Sequence, residues 1–132
     1  MSWTVTLPIP PSGNHANTIG RGHRTLRDGS VGTYAKIVKT ADARAYMASA
    51  AMLVRVAKPS GWKWSGGYIV VEYRFYLGNR GLDATNGIKT AEDCIFPAIG
   101  VDDTWAMPRV MEIQRGLPLS QQRLEVTIDA EP

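Results

Sequence analysis

The chain has 132 residues, 44% of them hydrophobic and 20% charged, with a formal net charge of +3. This describes one ordinary globular domain over residues 1–132, large enough to bury a core without disulfides or a structural metal and too short for two full-sized domains. A single cysteine, Cys94, excludes an intramolecular disulfide and any zinc-site spacing; no apolar run reaches bilayer-spanning length, and the opening MSWTVTLPIPPSG has no signal-peptide pattern, so a soluble cytoplasmic protein is expected.

Trp3, Val5 and Leu7 alternate with Thr4 and Thr6, the period-two pattern of a short strand with one apolar face. PIPPSGNHAN stops it, because three prolines remove backbone donors and Gly13-Asn14 supplies turn chemistry. The following segment is rich in Gly, Arg, Thr and Ser and lacks strong periodicity. It predicts a long exposed loop over about 13–39, with room for a small hairpin at Arg27-Asp28-Gly29-Ser30, since Asp-Gly favours a tight turn.

Positive charge collects in that segment. Between residues 15 and 44 there are six basic residues (Arg21, Arg24, Arg27, Lys36, Lys39, Arg44) against two acids (Asp28, Asp42), a local excess of +4 in a chain whose total is +3. The remainder of the chain is therefore slightly acidic, and the excess positive charge lies in one early segment, which is compatible with nucleic acid without demanding it.

TADARAYMASAAMLVRVAK is alanine-rich and places Tyr46, Ala50, Leu53 and Ala57 at helical spacing, with Thr40 as N-cap and an end near Lys58 before Pro59. A loop carrying Trp62 and Trp64 follows. YIVVEYRFYL then alternates Ile69, Val71, Tyr73, Phe75 and Leu77 with polar or half-polar positions and is dense in β-branched and aromatic residues, which predicts a central strand over 68–77.

Asn86-Gly87 admits two local readings. It is a hairpin signal, yet IKTAEDCIF after it has helical period. On a helical wheel Lys89 and Asp93 fall within about 60° of Asn86, while Ala91, Ile95 and Ile88 fall on the far side, about 140–200° from it. The opposed faces predict a helix over 84–96, N-capped by Asp83, with Pro97 near its end. Strands over 109–115 and 122–129 complete the chain, joined through Gly116-Leu117-Pro118. The order predicts a mixed α/β (α+β) domain, a mixed sheet with two main helices packed on one face.

Asp83, Lys89 and the pair Asp102-Asp103 admit a bland account as helix cap, solvated helix face and turn. They also have the makings of a phosphate-cutting site: an acid at the end of a central strand, a lysine in the following helix and an acid pair before the next strand can converge at a sheet edge. Mg²⁺ needs few carboxylates and fills its other positions with water and phosphate oxygens, lowering the pKa of bound water and clamping a scissile phosphate that a lysine helps neutralise.

In the order of its motifs the chain resembles the RusA-type Holliday-junction resolvases. The N-terminal strand running into VTLPIPPSGNH is similar to that family's strand and Leu-Pro-x-Pro-Pro-Ser-x-Asn segment. After a basic loop and a helix, the family pattern Asp-x-Asp-Asn-x-x-Lys is matched by Asp83, Asn86 and Lys89, the helix acid by Asp93 and the late pair by Asp102-Asp103. Thr85 stands where the pattern has its second acid. That leaves a site working with fewer acids, recruitment of Asp102 or Glu92, or a degenerate protein that binds without cutting.

The resemblance implies a homodimer that binds branched DNA, a four-way junction, and nicks two strands symmetrically with Mg²⁺, for which Mn²⁺ would substitute. It implies Asp83, Lys89 and Asp103 as catalytic residues, Asp83 and Asp103 as metal ligands with Asp102 in reserve, and Asn86 on a ligand or phosphate. Arg21, Arg24, Arg27, Lys36, Lys39 and Arg80 are the candidate phosphate contacts, with a steep salt dependence expected. His15 and His23 lack metal-ligand spacing, and Trp62, Trp64 and Trp105 suit either packing or stacking on unpaired bases.

Overall fold

A computed structural model describes residues 2–11, 17–79 and 83–130, with the side chains of all of these except 17–21, 34, 36 and 37. The elements in chain order are β1 (Ser2–Leu7), β2 (Asn17–Thr25), β3 (Val31–Lys39), α1 (Ala41–Ala57), β4 (Ile69–Tyr76), α2 (Ala84–Ile99), β5 (Ala106–Gln114) and β6 (Arg123–Ala130), with short 3₁₀ turns at Asp103–Trp105 and Leu119–Gln121. β1, β6, β4 and β5 form a four-stranded sheet in that order, while β2 and β3 form a separate two-stranded ribbon. β6 is antiparallel to both neighbours; β4 and β5 are parallel, joined by α2 as crossover. The fold is thus the expected mixed sheet with two helices.

Alternation explains the sheet. Trp3, Val5 and Leu7 of β1, Ile69, Val71, Tyr73 and Phe75 of β4, and Leu124, Val126, Ile128 and Ala130 of β6 are all buried, and the residues between them are not. One face therefore meets the helices through Ala50 and Val54 of α1 and Ala91, Ile95, Phe96 and Ile99 of α2. Each large apolar side chain so buried stabilises by about 1.5–3 kcal/mol. The other face is polar: Arg123 lies 4.0 Å from the Tyr76 ring centroid and pairs with Glu125 at 2.9 Å, and the Tyr76 hydroxyl donates to Glu112 Oε2 at 2.9 Å. β4 is central, as its pattern predicts.

The structure corrects the expected long loop. Its described part is a ribbon of two nine-residue strands, paired from Asn17↔Lys39 to Thr25↔Val31. The turn lies where Asp-Gly predicts it. Asp28 Oδ1 accepts from the Ser30 N–H at 2.9 Å, Gly29 takes φ +86°, and the Leu26 N–H reaches the Ser30 carbonyl at 2.7 Å. Glycines and arginines diluted the alternation, but β-branched residues flank the turn on both strands.

Thr40 caps α1, its Oγ1 accepting from the Ala43 N–H at 3.2 Å, and the Tyr46 hydroxyl donates to the Pro8 carbonyl at 2.8 Å, tying α1 to the segment after β1. Helix α2 runs three residues beyond the expected end, through Pro97 to Ile99. It stops at Gly100, whose φ of +74° suits a residue without Cβ, and the Val101 N–H closes on the Phe96 carbonyl at 3.1 Å. β5 also starts earlier than expected, at Ala106, and holds Pro108 on the sheet edge, where a missing donor is tolerated. Among the described residues no helix is long and apolar enough to cross a membrane.

Candidate metal and nucleic-acid site

Asp83 has the capping job its position predicts: its Oδ1 accepts from the Thr85 N–H at 2.9 Å at the mouth of α2. Asp83, Thr85, Asn86 and Lys89 lie in the N-terminal half of α2 or at its cap, all four exposed. Asp102 caps the 3₁₀ turn beyond the other end of α2, its Oδ1 accepting from the Thr104 N–H at 2.9 Å. That bond holds its carboxyl below the usual carboxylate range. Sixteen helical residues lie between the two caps, about 24 Å of axis. The turn after α2 folds back so that Asp103 acts on Glu92, three residues or about 5 Å of axis beyond Lys89 and nine residues or about 14 Å beyond Asp83; among the described residues Asp83, Asp102 and Asp103 are not grouped as a ready-made metal site.

A different group does come together. The end of β3, the C-terminal half of α2 and the turn after it enclose an open cleft of about 620 Å³. Met47, Phe96, Pro97 and Val101 form its apolar lining, and Lys39, Glu92, Asp93, Asp102 and Asp103 its charged lining. Glu92 is half-buried, and its carboxyl is pushed up to about 7, first by burial and then by the neighbouring Asp103 and Asp93 carboxylates. Its Oε2 is buried without a hydrogen-bond partner. The hydroxyl of the fully buried Tyr73, within electrostatic reach of Glu92, is likewise unpartnered, and burial drives its ionisation far above the usual phenol range.

Cys94, on the same helix, is a buried thiol whose Sγ donates to the Thr90 carbonyl at 3.2 Å and whose ionisation burial pushes up to about 11. It is unsuited to nucleophilic or ligand chemistry at neutral pH.

Clustered carboxylates of this kind fit a hard divalent cation in one respect and not in another. Like charges in a half-buried site leave one carboxyl reluctant to ionise, a penalty a cation removes. Among the described residues, however, no three His, Cys, Asp or Glu side chains are grouped as a ready-made metal site. Mg²⁺ tolerates this, since one or two carboxylates with water and substrate phosphate oxygens complete its shell. Glu92 and Asp103 are the pair the electrostatics couple.

The basic residues approach this cleft along the ribbon. Arg24 and Arg27 are exposed at its turn end, and Lys39 closes its other end in the cleft itself. Nine paired residues span about 30 Å. Arg44 Nη1 donates to the Lys39 carbonyl at 2.6 Å, adding a guanidinium next to the residue whose ammonium lines the cleft. Arg21 and Lys36 lie on β2 and β3, with side chains outside the described set, and Arg80 and His15 lie outside the described residues. His23 is exposed on the ribbon.

Sequence reasoning underweighted Glu92, which it held in reserve, and missed Tyr73. A signal for Glu92 was there: on the helical wheel it falls about 40° from Ile88, at the seam between the apolar and polar faces. Compared with known protein families and with curated proteins, the chain matches no family and no curated sequence.

Proposed function

We propose that this chain is a Mg²⁺-dependent endonuclease of branched DNA, acting as a homodimer on four-way junctions in the cytoplasm of a prokaryotic or phage-infected cell. The observation that carries the reading is that a cationic ribbon ends, at Lys39, in the same cleft as Glu92, Asp93, Asp102 and Asp103. The resemblance to RusA-type resolvases supports it through the order of motifs. The ribbon tracks the phosphate backbone, a sequence-independent contact that weakens steeply with salt, and delivers a phosphodiester to the carboxylates.

Asp103 and Glu92 would hold the ion, Glu92 supplying the carboxylate missing at Thr85, with Asp102 in reserve. When bound, the ion supplies Lewis acidity and an activated water. Lys39 neutralises charge on the phosphate oxygens as water adds to phosphorus and the P–O bond to the departing strand breaks. Along α2, Lys89 stands about 5 Å of axis from Glu92, Asn86 about 9 Å and Asp83 about 14 Å. Lys89 is thus within a helical turn of the ion site, whereas Asp83 would reach a phosphodiester held at this cleft from a second copy, a role the proposed homodimer allows.

A second reading, a junction binder that does not cut, is favoured by Thr85 and by the lack of a preassembled three-ligand group among the described residues. Incubating the protein with a labelled four-way junction in Mg²⁺ and in EDTA separates the two. Nicking in Mg²⁺ alone is expected; binding without nicking in either Mg²⁺ or Mn²⁺ leaves the binder.

A further inference from the structure

The tryptophans divide into two pairs with different surroundings. Trp3 and Trp62 meet edge to face at 6.1 Å and are 7% and 9% exposed, so their place is the core. Trp64 and Trp105 pack at 5.7 Å, and Tyr68 adds a third ring, 5.5 Å from Trp105. This second cluster is at the surface, with Tyr68 59% and Trp105 37% exposed. The Trp64 Nε1–H donates to the Gly67 carbonyl at 3.0 Å, which pins that indole as a wall.

The cluster sits where β4 and β5 begin side by side, Ile69 opposite Ala106. Pairing of Val70 with Met107 and Glu72 with Arg109 puts Met107 and Arg109 on the face turned away from the helices, and Arg109 Nη2 folds back to 4.0 Å from Met107 Sδ. Lys63 is exposed beside Trp64. Lys63 is thus the sequence neighbour of Trp64, and Arg109 lies farther along β5 beyond Met107, with Glu72 opposite it as the acid on that face. Trp105 also closes the 3₁₀ turn that contains Asp103, so the two Cα atoms are within about 7 Å of each other.

We infer that Tyr68, Trp105 and Trp64 form a stacking platform for an unpaired nucleobase of the strand whose backbone lies at the Asp103 cleft. The inference rests on the nuclease reading for the strand's path. Open aromatic faces beside cations are the chemistry that holds single-stranded nucleic acid, because every base offers a π-face and every nucleotide a phosphate. A base beside the scissile phosphate, lifted out of its stack, is available at a junction and costly to obtain from intact duplex.

The test compares binding of an oligothymidine with that of an abasic strand of the same length, in EDTA, with tryptophan fluorescence and a competition assay as readouts. Wild type is expected to prefer the base-bearing strand by about 5- to 100-fold and to show quenched fluorescence. Trp105→Ala and Tyr68→Ala each reduce that preference by about fivefold or more, while Trp105→Phe, which keeps a ring, retains most of it. Equal affinity for the two strands in wild type, or a preference that survives Trp105→Ala, overturns the platform. So does loss of an oligomer in Trp105→Ala, measured by sedimentation, with base preference intact, since the rings then belong to an interface between copies. Because the assay excludes divalent ions, a base preference without junction cleavage sinks the nuclease reading and leaves the platform standing.

Discussion

Replacing Glu92 by Gln removes a charge that the fold holds at a cost. The carboxyl moves from its ordinary 4.5 to about 7, through burial first and the Asp103 and Asp93 carboxylates next. At about 1.36 kcal/mol per pH unit the full shift corresponds to about 3 kcal/mol, and solvent screening of a half-buried group reduces this to about 1–2 kcal/mol. The folded state binds the proton more tightly than the unfolded state. Wild type is therefore stabilised by this group below pH 4.5, and the contribution is lost as pH rises through 7. Glu92→Gln is expected to match wild type near pH 4 and to exceed it by about 1–2 kcal/mol at pH 8, about 4–8 °C in Tm. Urea denaturation of both proteins at pH 4, 5, 6, 7 and 8 measures the difference. Adding Mg²⁺ at pH 8 should raise the Tm of wild type and leave the variant unmoved, closing the gap. A constant difference across the pH range, or a variant less stable at pH 8, refutes the electrostatic account of the cleft.

Asp83→Asn keeps a good N-cap and should stay within about 0.5 kcal/mol of wild type, whereas Asp83→Ala should lose about 1 kcal/mol; junction cleavage falling equally in both marks a functional role beyond the cap, and cleavage tracking stability removes it. If Asp83 acts across a dimer, Asp83→Asn and Asp103→Asn chains, each inactive alone, should regain nicking when mixed and refolded together; a silent mixture of assembled dimers removes the shared site. Gly100→Ala should cost about 1–2 kcal/mol in urea denaturation, because its φ is +74° while an added Cβ would meet nothing within 4 Å; a neutral result contradicts Gly100 as the helix stop.

The sheet was legible because its chemistry is local. Trp3-Val5-Leu7, Ile69 to Phe75 and Leu124 to Ile128 each alternate cleanly, since each strand buries one face. The α2 cap was legible from Asp83 and the opposed faces that follow. The β2–β3 ribbon was not, because Gly20, Gly22 and Gly32 and the arginines obscure alternation in a ribbon paired to no other described strand. Its turn alone could be read, from Asp28-Gly29.

The candidate site was half legible. A helix over 84–96 is by itself about 20 Å long, and the turn after it returns Asp103 to Glu92, which is still about 14 Å of helix from Asp83. What the chain brings together instead depends on tertiary contacts: Lys39 arrives from the ribbon, and Glu92 and Asp93 from the middle of α2. No local pattern announces that Lys39 closes the same cleft as Asp103.

Whether that cleft acts on DNA is tested most directly by one comparison. Wild type and Asp103→Asn are compared at saturating protein on a labelled four-way junction, with binding and strand nicking read in parallel in Mg²⁺. Nicking by wild type, lost by at least about 100-fold in Asp103→Asn while junction affinity stays within a few-fold, is the predicted result. Equal nicking by the two proteins, or none by either under full binding, contradicts it.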